Sequence, residues 1–463
     1  MRLRILLAIL AALILWRIAS SGIAAHYVRQ AAAGEDAAVD KALVWQPRQP
    51  DALYRKARGR QEQDPALAAR LLKESYVENP ASARPLLALA GIAQEADKVE
   101  LAAALVEQAS RLMPADPRVQ ADVGRFWASK GDLPAAVKHW SQALTASPTA
   151  TDELFPILLA LAEEPTTRTL LKPIAASPPA WWERFFREVS GRSLDLETVR
   201  ALFAFRRAAS QAPVTRAERD YYVRRLVKEG KITEAYLVWV NGLDDEERAH
   251  LGILHNGSFE IEPTNTGFDW HLQTTETVIA TTGATAGIKG KKALHLIFKR
   301  REGRYQHLYQ PLFLDPAGFR VAGRVRTDSL ASQGGLKWVV RCRFPQPADL
   351  GESERFLGSS EWRDFSFSIQ VPEGCLAQEI RLVSAGTREL EYKMTGGIWF
   401  DGLSIRRDAG AAAASPLLQS ANLSARGSSP DKAEEPSDPL QVRTGPGFRL
   451  GTSLSEALNG AED

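Results

Sequence analysis

The stretch Ala121–Pro148, ADVGRFWASKGDLPAAVKHWSQALTASP, sets the largest side chains against the smallest. Val123, Trp127, Ala136, Trp140 and Ala143 lie three or four residues apart within two segments, the spacing of a helix face. Gly131 and Pro134 in SKGDLP are turn and helix-start residues. The stretch therefore predicts a helix, a tight turn and a second helix. Gly124, Ala136 and Ala143 belong where two helix backbones approach closely, and each Trp fills the groove opposite.

The unit recurs. Closing prolines at Pro47, Pro80, Pro114 and Pro148 stand 33, 34 and 34 residues apart. Ala102, Val106 and Ala109 precede Pro114, and Ala68, Leu72 and Ser75 precede Pro80. The period and the small-large-small code resemble the tetratricopeptide repeat. Val123, Gly124, Trp127, Ala136, Trp140 and Pro148 carry the match, while Gln120 replaces the usual first Trp. Between 151 and 250 the amphipathic segments FPILLALAEE, WWERFFREVS and LETVRALFAFRRAAS keep a helical texture. YYVRRLVKEGKITEAYLVWVNGL then returns to the code, with Gly230, Ala235 and Trp239 repeating the offsets of Gly131, Ala136 and Trp140. The resemblance implies an α-solenoid over 26–250 whose concave surface takes protein partners.

At Asn256 the texture changes. ALHLIF, FRVAGRVRT, LKWVVRCRF, RDFSFSIQV, EIRLVSA and GGIWFDGLSIRR alternate with period two and are punctuated by turn residues. Phe319, Val321 and Val325 share one face, and Arg320, Arg324 and Arg326 the other. These segments predict an all-β jelly-roll sandwich over 251–408. The order NGSFE, GFDW, GKKALHLIF, YQPLFLDPAGFRVAGRVR, WRDFSFSIQVP and GGIWFDGLSI resembles jelly-roll carbohydrate-binding modules. That resemblance implies a structural calcium ion held by Glu260 and Asp401, whose oxygen ligands suit a hard cation; the alternative is a pair of solvated strand-end acids. It also implies sugar stacking on exposed aromatics, with Trp270, Tyr305, Tyr309, Trp338 and Trp362 available. Trp338 is in phase with Val340 and Cys342 and belongs to the core. Tyr305, His307 and Tyr309 share a strand face. Arg341 and Arg343 point away from Cys342 and, with Arg324, suit an anionic sugar through bidentate contacts; the alternative is a solvated basic face.

At 463 residues the chain is long enough for two or three domains. A net charge of +2 offers no electrostatic case for nucleic acid. Arg2 and Arg4 precede an apolar run, Ile5 to Trp16, so 1–25 reads as a membrane anchor or a signal segment, and either exports the chain beyond it. Cys342 and Cys375 are the only two cysteines. Neighbouring strands bring them within disulfide range, although two buried thiols fit the same pattern. From Ala409 to Asp463 small residues, Ser and Pro dominate with no apolar periodicity, which predicts a disordered tail.

Catalytic motifs of the H-E-x-x-H, G-x-S-x-G and C-x-x-C types are absent. GATAGIKGKK fails the phosphate-loop pattern. The seven histidines make no metal-ligand spacing, and His139, beside Trp140, reads as a surface residue. Paired acids such as Asp349 and Glu352 leave a glycan-active enzyme as a third alternative, which requires a carboxylate pair in a cleft. The expectation is a non-enzymatic protein, single-pass in a bacterial inner membrane and facing the periplasm. Its architecture is similar to that of repeat proteins of exopolysaccharide biosynthesis or secretion, with protein partners on the repeats and polysaccharide on the sandwich. The competing expectation is a structural scaffold for envelope assembly with no glycan ligand.

Overall fold

The computed structural model describes residues 2–209, 212–301 and 304–408; the predicted tail, 409–463, lies outside the described residues. An α-solenoid of tetratricopeptide repeats precedes an all-β jelly-roll sandwich, as the sequence predicts. Two compact units divide the described chain. One holds Met1–Phe185 with Ala204–Ala212, and the other holds Phe186–Phe203 with 213–408.

In the first unit, α1 (Arg2–Ala32), α2 (Ala37–Trp45), α3 (Pro50–Arg58), α4 (Pro65–Glu78), α5 (Arg84–Glu95), α6 (Val99–Leu112), α7 (Pro117–Ser129) and α8 (Leu133–Ala146) pack as consecutive hairpins. Prolines open α3, α4 and α7, where the missing N–H costs nothing. Asp64, Asp116 and Asp132 cap α4, α7 and α8 by accepting from Leu67 N, Val119 N and Ala135 N. Such caps contribute about 1 kcal/mol each. α9 (Thr151–Glu163), α10 (Pro165–Arg168) and α11 (Lys172–Ala176) complete this unit's regular helices before α12 (Trp182–Arg192) and α13 (Leu196–Arg207).

The large-to-small code is literal at α7 and α8. Trp140 is fully buried and its indole lies on Gly124, where a Cβ would come within 2.3 Å of the ring nitrogen. Ala136 and Ala143 are likewise fully buried. Trp127 is only half-buried, edge-to-face with Phe126 at 5.3 Å, so it rims the groove rather than filling it. Gln120 is fully buried and donates to Met113 O at 3.1 Å. Its Oε1 meets His139 Nδ1 at 2.8 Å. His139 is therefore half-buried rather than a surface residue, and desolvation followed by the Lys138 charge pushes its pKa down.

In the second unit, α14 (Arg216–Lys228), α15 (Ile232–Val240) and α16 (Asp245–Ala249) precede the sandwich. Tyr222 stacks on Phe203 at 4.2 Å. The buried Arg225 guanidinium donates to Ser190 O and Ser193 O, satisfying carbonyls at the end of α12. Gly230 turns with φ +70°, as Gly131 does with φ +80°. Ala235 is fully buried, and Trp239 covers Gly267 at the entrance to the sandwich.

The strands are β1 (His271–Leu272), β2 (Val278–Gly283), β3 (Ala293–Arg301), β4 (Leu308–Leu312), β5 (Ala317–Ala331), β6 (Leu336–Phe344), β7 (Ala348–Glu352), β8 (Gly358–Val371), β9 (Ala377–Ser384) and β10 (Met394–Arg407). One antiparallel sheet runs β1-β4-β9-β6-β7 and the other β2-β3-β10-β5-β8. Phe259, Trp270, Trp338, Phe356 and Phe400 fill the space between them. Trp338 faces this core as its phase predicts. Trp270 is fully buried there too, its Nε1 donating to Asn256 O at 3.1 Å, and so offers no sugar platform. Cys342 on β6 and Cys375 in the turn before β9 form a disulfide with Cα atoms 5.8 Å apart.

Gly124→Ala and Ala136→Leu should each overpack the α7–α8 contact and lower stability by about 1–3 kcal/mol; a variant that melts like the parent contradicts this packing. The disulfide closes a loop with a sequence separation of 33 residues. Chain entropy then predicts that replacing both cysteines by Ala costs about 3–4 kcal/mol. Alkylation of the unreduced, denatured chain and mass spectrometry should find no free thiol.

Candidate functional site: a basic cleft on one sheet

β5 and β10 lie side by side in the β2-β3-β10-β5-β8 sheet. Their inward residues, among them Phe319, Val321, Val325, Phe400 and Ile405, are buried. The outward residues of β5 are Arg320, Arg324 and Arg326, the face predicted by alternation. The β2–β3 connection, 284–292, binds to this face. Trp362 Nε1 donates to Ala286 O and Arg324 Nη1 to Gly287 O, both at 2.8 Å. Arg326 Nη1 donates to Thr285 Oγ1 at 2.9 Å. Gly287, at φ +83°, sits against the Trp362 indole, where a Cβ would lie 2.7 Å from Cδ1.

Two carboxylates hold the end of this connection. Asp401 Oδ2 accepts from Lys289 N at 2.7 Å, and Glu260 accepts from Lys291 N at 3.0 and 3.1 Å. Asp401 is completely buried and its Oδ1 has no hydrogen-bond partner. The Arg324 guanidinium lies 3.7 Å from Oδ2. Among the described residues no group of three or more His, Cys, Asp or Glu is arranged to hold a metal.

Beside the connection opens a cleft of about 500 Å³, lined by Lys289, Arg320, Arg324, Asp364, Ser366 and Arg406 among others. Arg320 on β5 and Arg406 on β10 are directly opposite in the register, and both are exposed. Among the described residues neither has an ion-pair partner. Asp364, the one acid in the lining, lies 3.9 Å from Arg324. Like charges directly across a strand pair destabilise it. An anion between the two guanidinium groups would reverse that sign.

Next to the cleft the aromatic rings are occupied. Arg324 and Arg326 lie over Trp362, 5.1 and 5.8 Å from its centroid, and Arg326 also covers Trp399 at 5.1 Å. His295 stacks on Trp399 at 3.7 Å and 7°, and burial pushes its pKa down, which favours the neutral ring.

The sequence-predicted residues do not form one site. Arg341, Arg343 and Tyr309 lie on the other sheet. There Arg341 pairs with Asp349 at 3.2 Å and Arg343 with Glu379 at 3.5 Å. Tyr309 is stacked on His271 at 4.5 Å with Arg381 over its ring at 4.2 Å. Tyr305 is 3% exposed and belongs to the core, so it shares no open face with Tyr309. It precedes β4, whose regular alternation starts only at Leu308. His307, also before β4, is half-buried against Tyr305. Lys289 and Arg406 are absent from the sequence-predicted set. For Arg406 the available signal is its alternation with Leu403 and Ile405.

In the first unit, a groove of about 990 Å³ runs along α3, α5 and α7, with Tyr54, Arg55, Arg58, Arg84, Arg118 and Phe126 among its lining residues.

No family model matches this chain, and no curated protein matches it. Solved structures similar to it include Pseudomonas aeruginosa PilF, at 18% identity and a TM-score of 0.27, covering 49% of this chain and 98% of that one. A structure described as CBM4 matches at 13% identity and a TM-score of 0.26, covering 34% of this chain and 99% of that one. The enzymatically active domain of tailspike protein 4 from bacteriophage CBA120 matches at 17% identity and a TM-score of 0.26, over 34% of this chain. The match spans only 21% of the tailspike domain's length. Scores at this level add nothing to the geometry of the cleft.

Proposed function

We propose that this protein is a non-enzymatic interaction protein of the bacterial cell envelope. α1 anchors it in the inner membrane as a single pass, and the remainder faces the periplasm. The helical repeats take a protein partner along the α3–α5–α7 groove. The sandwich binds an anionic polysaccharide at the Lys289, Arg320 and Arg406 cleft, in exopolysaccharide biosynthesis or secretion.

The membrane part is supported by the apolar stretch Ile9–Ala32 of α1, with a mean hydropathy of 1.5, whose N-terminal part is exposed while Ala24 and Ala31 pack on α2. The glycan part rests on the Arg320–Arg406 opposition. Guanidinium groups match carboxylate, phosphate or sulfate substituents bidentately, and two of them with no ion-pair partner among the described residues suit such a group. Asp349 and Glu352 are engaged by Arg341 and Lys337, which suits a non-catalytic module.

A structural calcium ion belongs to the same proposal. Its carboxylate ligands would be Asp401, through the unpartnered Oδ1, and Glu260. The ion would supply positive charge where two acids grip one turn. Calcium should then raise the melting temperature and a chelator reverse the rise, with Asp401→Asn insensitive to both. A parent chain unmoved by calcium removes the ion from the proposal.

One observation favours the scaffold reading: the Trp362, Trp399 and Tyr309 rings carry guanidinium groups where a sugar would need open faces. Binding of the full chain to a uronate-rich polysaccharide and to neutral dextran decides between them. The anionic polymer should bind, more weakly at high salt, and dextran should not. Arg320→Ala and Arg406→Ala should each weaken binding by about tenfold, equivalent to about 1.4 kcal/mol, without loss of melting temperature. Failure to retain either polymer supports the scaffold.

A further inference from the structure

Helix α1 has two environments along one unbroken axis. Leu10, Leu13, Ile14, Leu15, Trp16 and Ile18 are all at least half exposed. Further along, Ala24 is fully buried and Ala31 is 5% exposed, where the helix packs on α2. Ala38 and Ala42 of α2 are equally buried. Cleavage after Ala25 would remove Ala24 and part of the first hairpin's packed surface. The anchor and the hairpin are therefore one helix with no linker between them.

The exposed segment is short. The apolar run between Arg4 and Arg17 in the sequence rises about 20 Å at 1.5 Å per residue, against a hydrocarbon core of about 30 Å. A short apolar stretch is accommodated by thinning the bilayer or by drawing flanking groups to the interface. The flanking group here is the C-terminal end of α2, which returns along α1. The Trp45 ring lies 6.0 Å from that of Trp16. Val44 is 79% exposed and Trp45 37% exposed, an apolar patch continuous with the free segment. Tryptophan is favoured at the headgroup level.

We propose that Val44 and Trp45 insert into the headgroup–acyl boundary of the bilayer, seating the first hairpin of the solenoid on the membrane surface. This rests on the reading of α1 as an uncleaved anchor.

The test uses the full chain in phosphatidylethanolamine–phosphatidylglycerol vesicles. Among the described residues no cysteine is free, so a nitroxide attaches only at an introduced thiol. Val44→Cys is the probe. Val77→Cys, at a 73% exposed position on α4, is the control. Both side chains point into open space, so neither substitution disturbs a core. The label at 44 should be relaxed more by oxygen than by a water-soluble nickel chelate, and the label at 77 the reverse. A carbonate wash comes first. If the chain resists the wash and the label at 44 behaves like that at 77, the seat is overturned and the anchor stands. If the wash extracts the chain, the anchor reading fails and the seat falls with it.

Discussion

One ring joins the helices to the sheets in the second unit. Trp239 occupies the repeat position that Trp140 occupies in the α7–α8 hairpin, and each indole lies on a glycine where a Cβ would come within 2.3 Å of the ring. For Trp140 the glycine is Gly124, on the partner helix. For Trp239 it is Gly267, in the loop that enters the sandwich, held at φ +55°. Phe268 and the His255 ring close around the same indole at 5.7 and 5.3 Å. Tyr236, one helical turn away, meets Phe268 and Phe313. Asp220 on α14 lies 3.3 Å from Gly267 N. The repeat code thus ends by treating the sandwich as if it were the next helix. A Cβ at Gly267 would require both a strained backbone and a displaced indole, so the sandwich cannot shift relative to α15 without losing this contact.

The sequence discloses what repeats with a fixed period. The helix hairpins, the Gly124–Trp140 packing, the inward phase of Trp338 and the outward phase of Arg320, Arg324 and Arg326 all derive from spacings of 34, 3.6 and 2. Alternation within a strand does not say which sheet the strand joins. Arg324 and Arg341 therefore enter one set of candidate ligands and stand on two sheets. Alternation also stops where the strand stops, which is why Tyr305 reads as open and is buried. Polar residues inside the helical unit are equally opaque. Gln120 and His139 become partners only when α7 and α8 bring them to 2.8 Å.

The arginines of the sandwich show why residue type alone does not identify a site. Arg341, Arg343 and Arg381 face the acids Asp349 and Glu379, and Arg326 lies over two tryptophans and donates to Thr285. These side chains are spent on holding the sheets, and their charge is cancelled or desolvated by neighbours. Arg324 is a mixed case, since it secures the 284–292 connection, touches Asp401 and also lines the cleft. Arg320 and Arg406 differ because the β5–β10 register opposes them without an acid. Packing does not require that arrangement: a Ser or Thr at either position would fit an exposed strand face. The local cost of like charges is what makes this pair the candidate for the proposed anion site.

Rigidity gives α1 a similar significance. An anchor meant only to tether would gain from a flexible link, whose entropy leaves the exported part free to reorient. Here the helix passes from exposed Ile18 to buried Ala24 within two turns and continues into the hairpin. A rigid connection fixes the direction in which α2 returns, and α2 returns toward the exposed apolar segment of α1. The exposure of Val44 and Trp45 would be a solubility liability on a free surface. Against a bilayer, as proposed, it would become a second point of attachment. Two points separated across a hairpin resist tilting where one does not, so the groove lined by Tyr54 and Arg55 would be presented at a constant angle to the membrane.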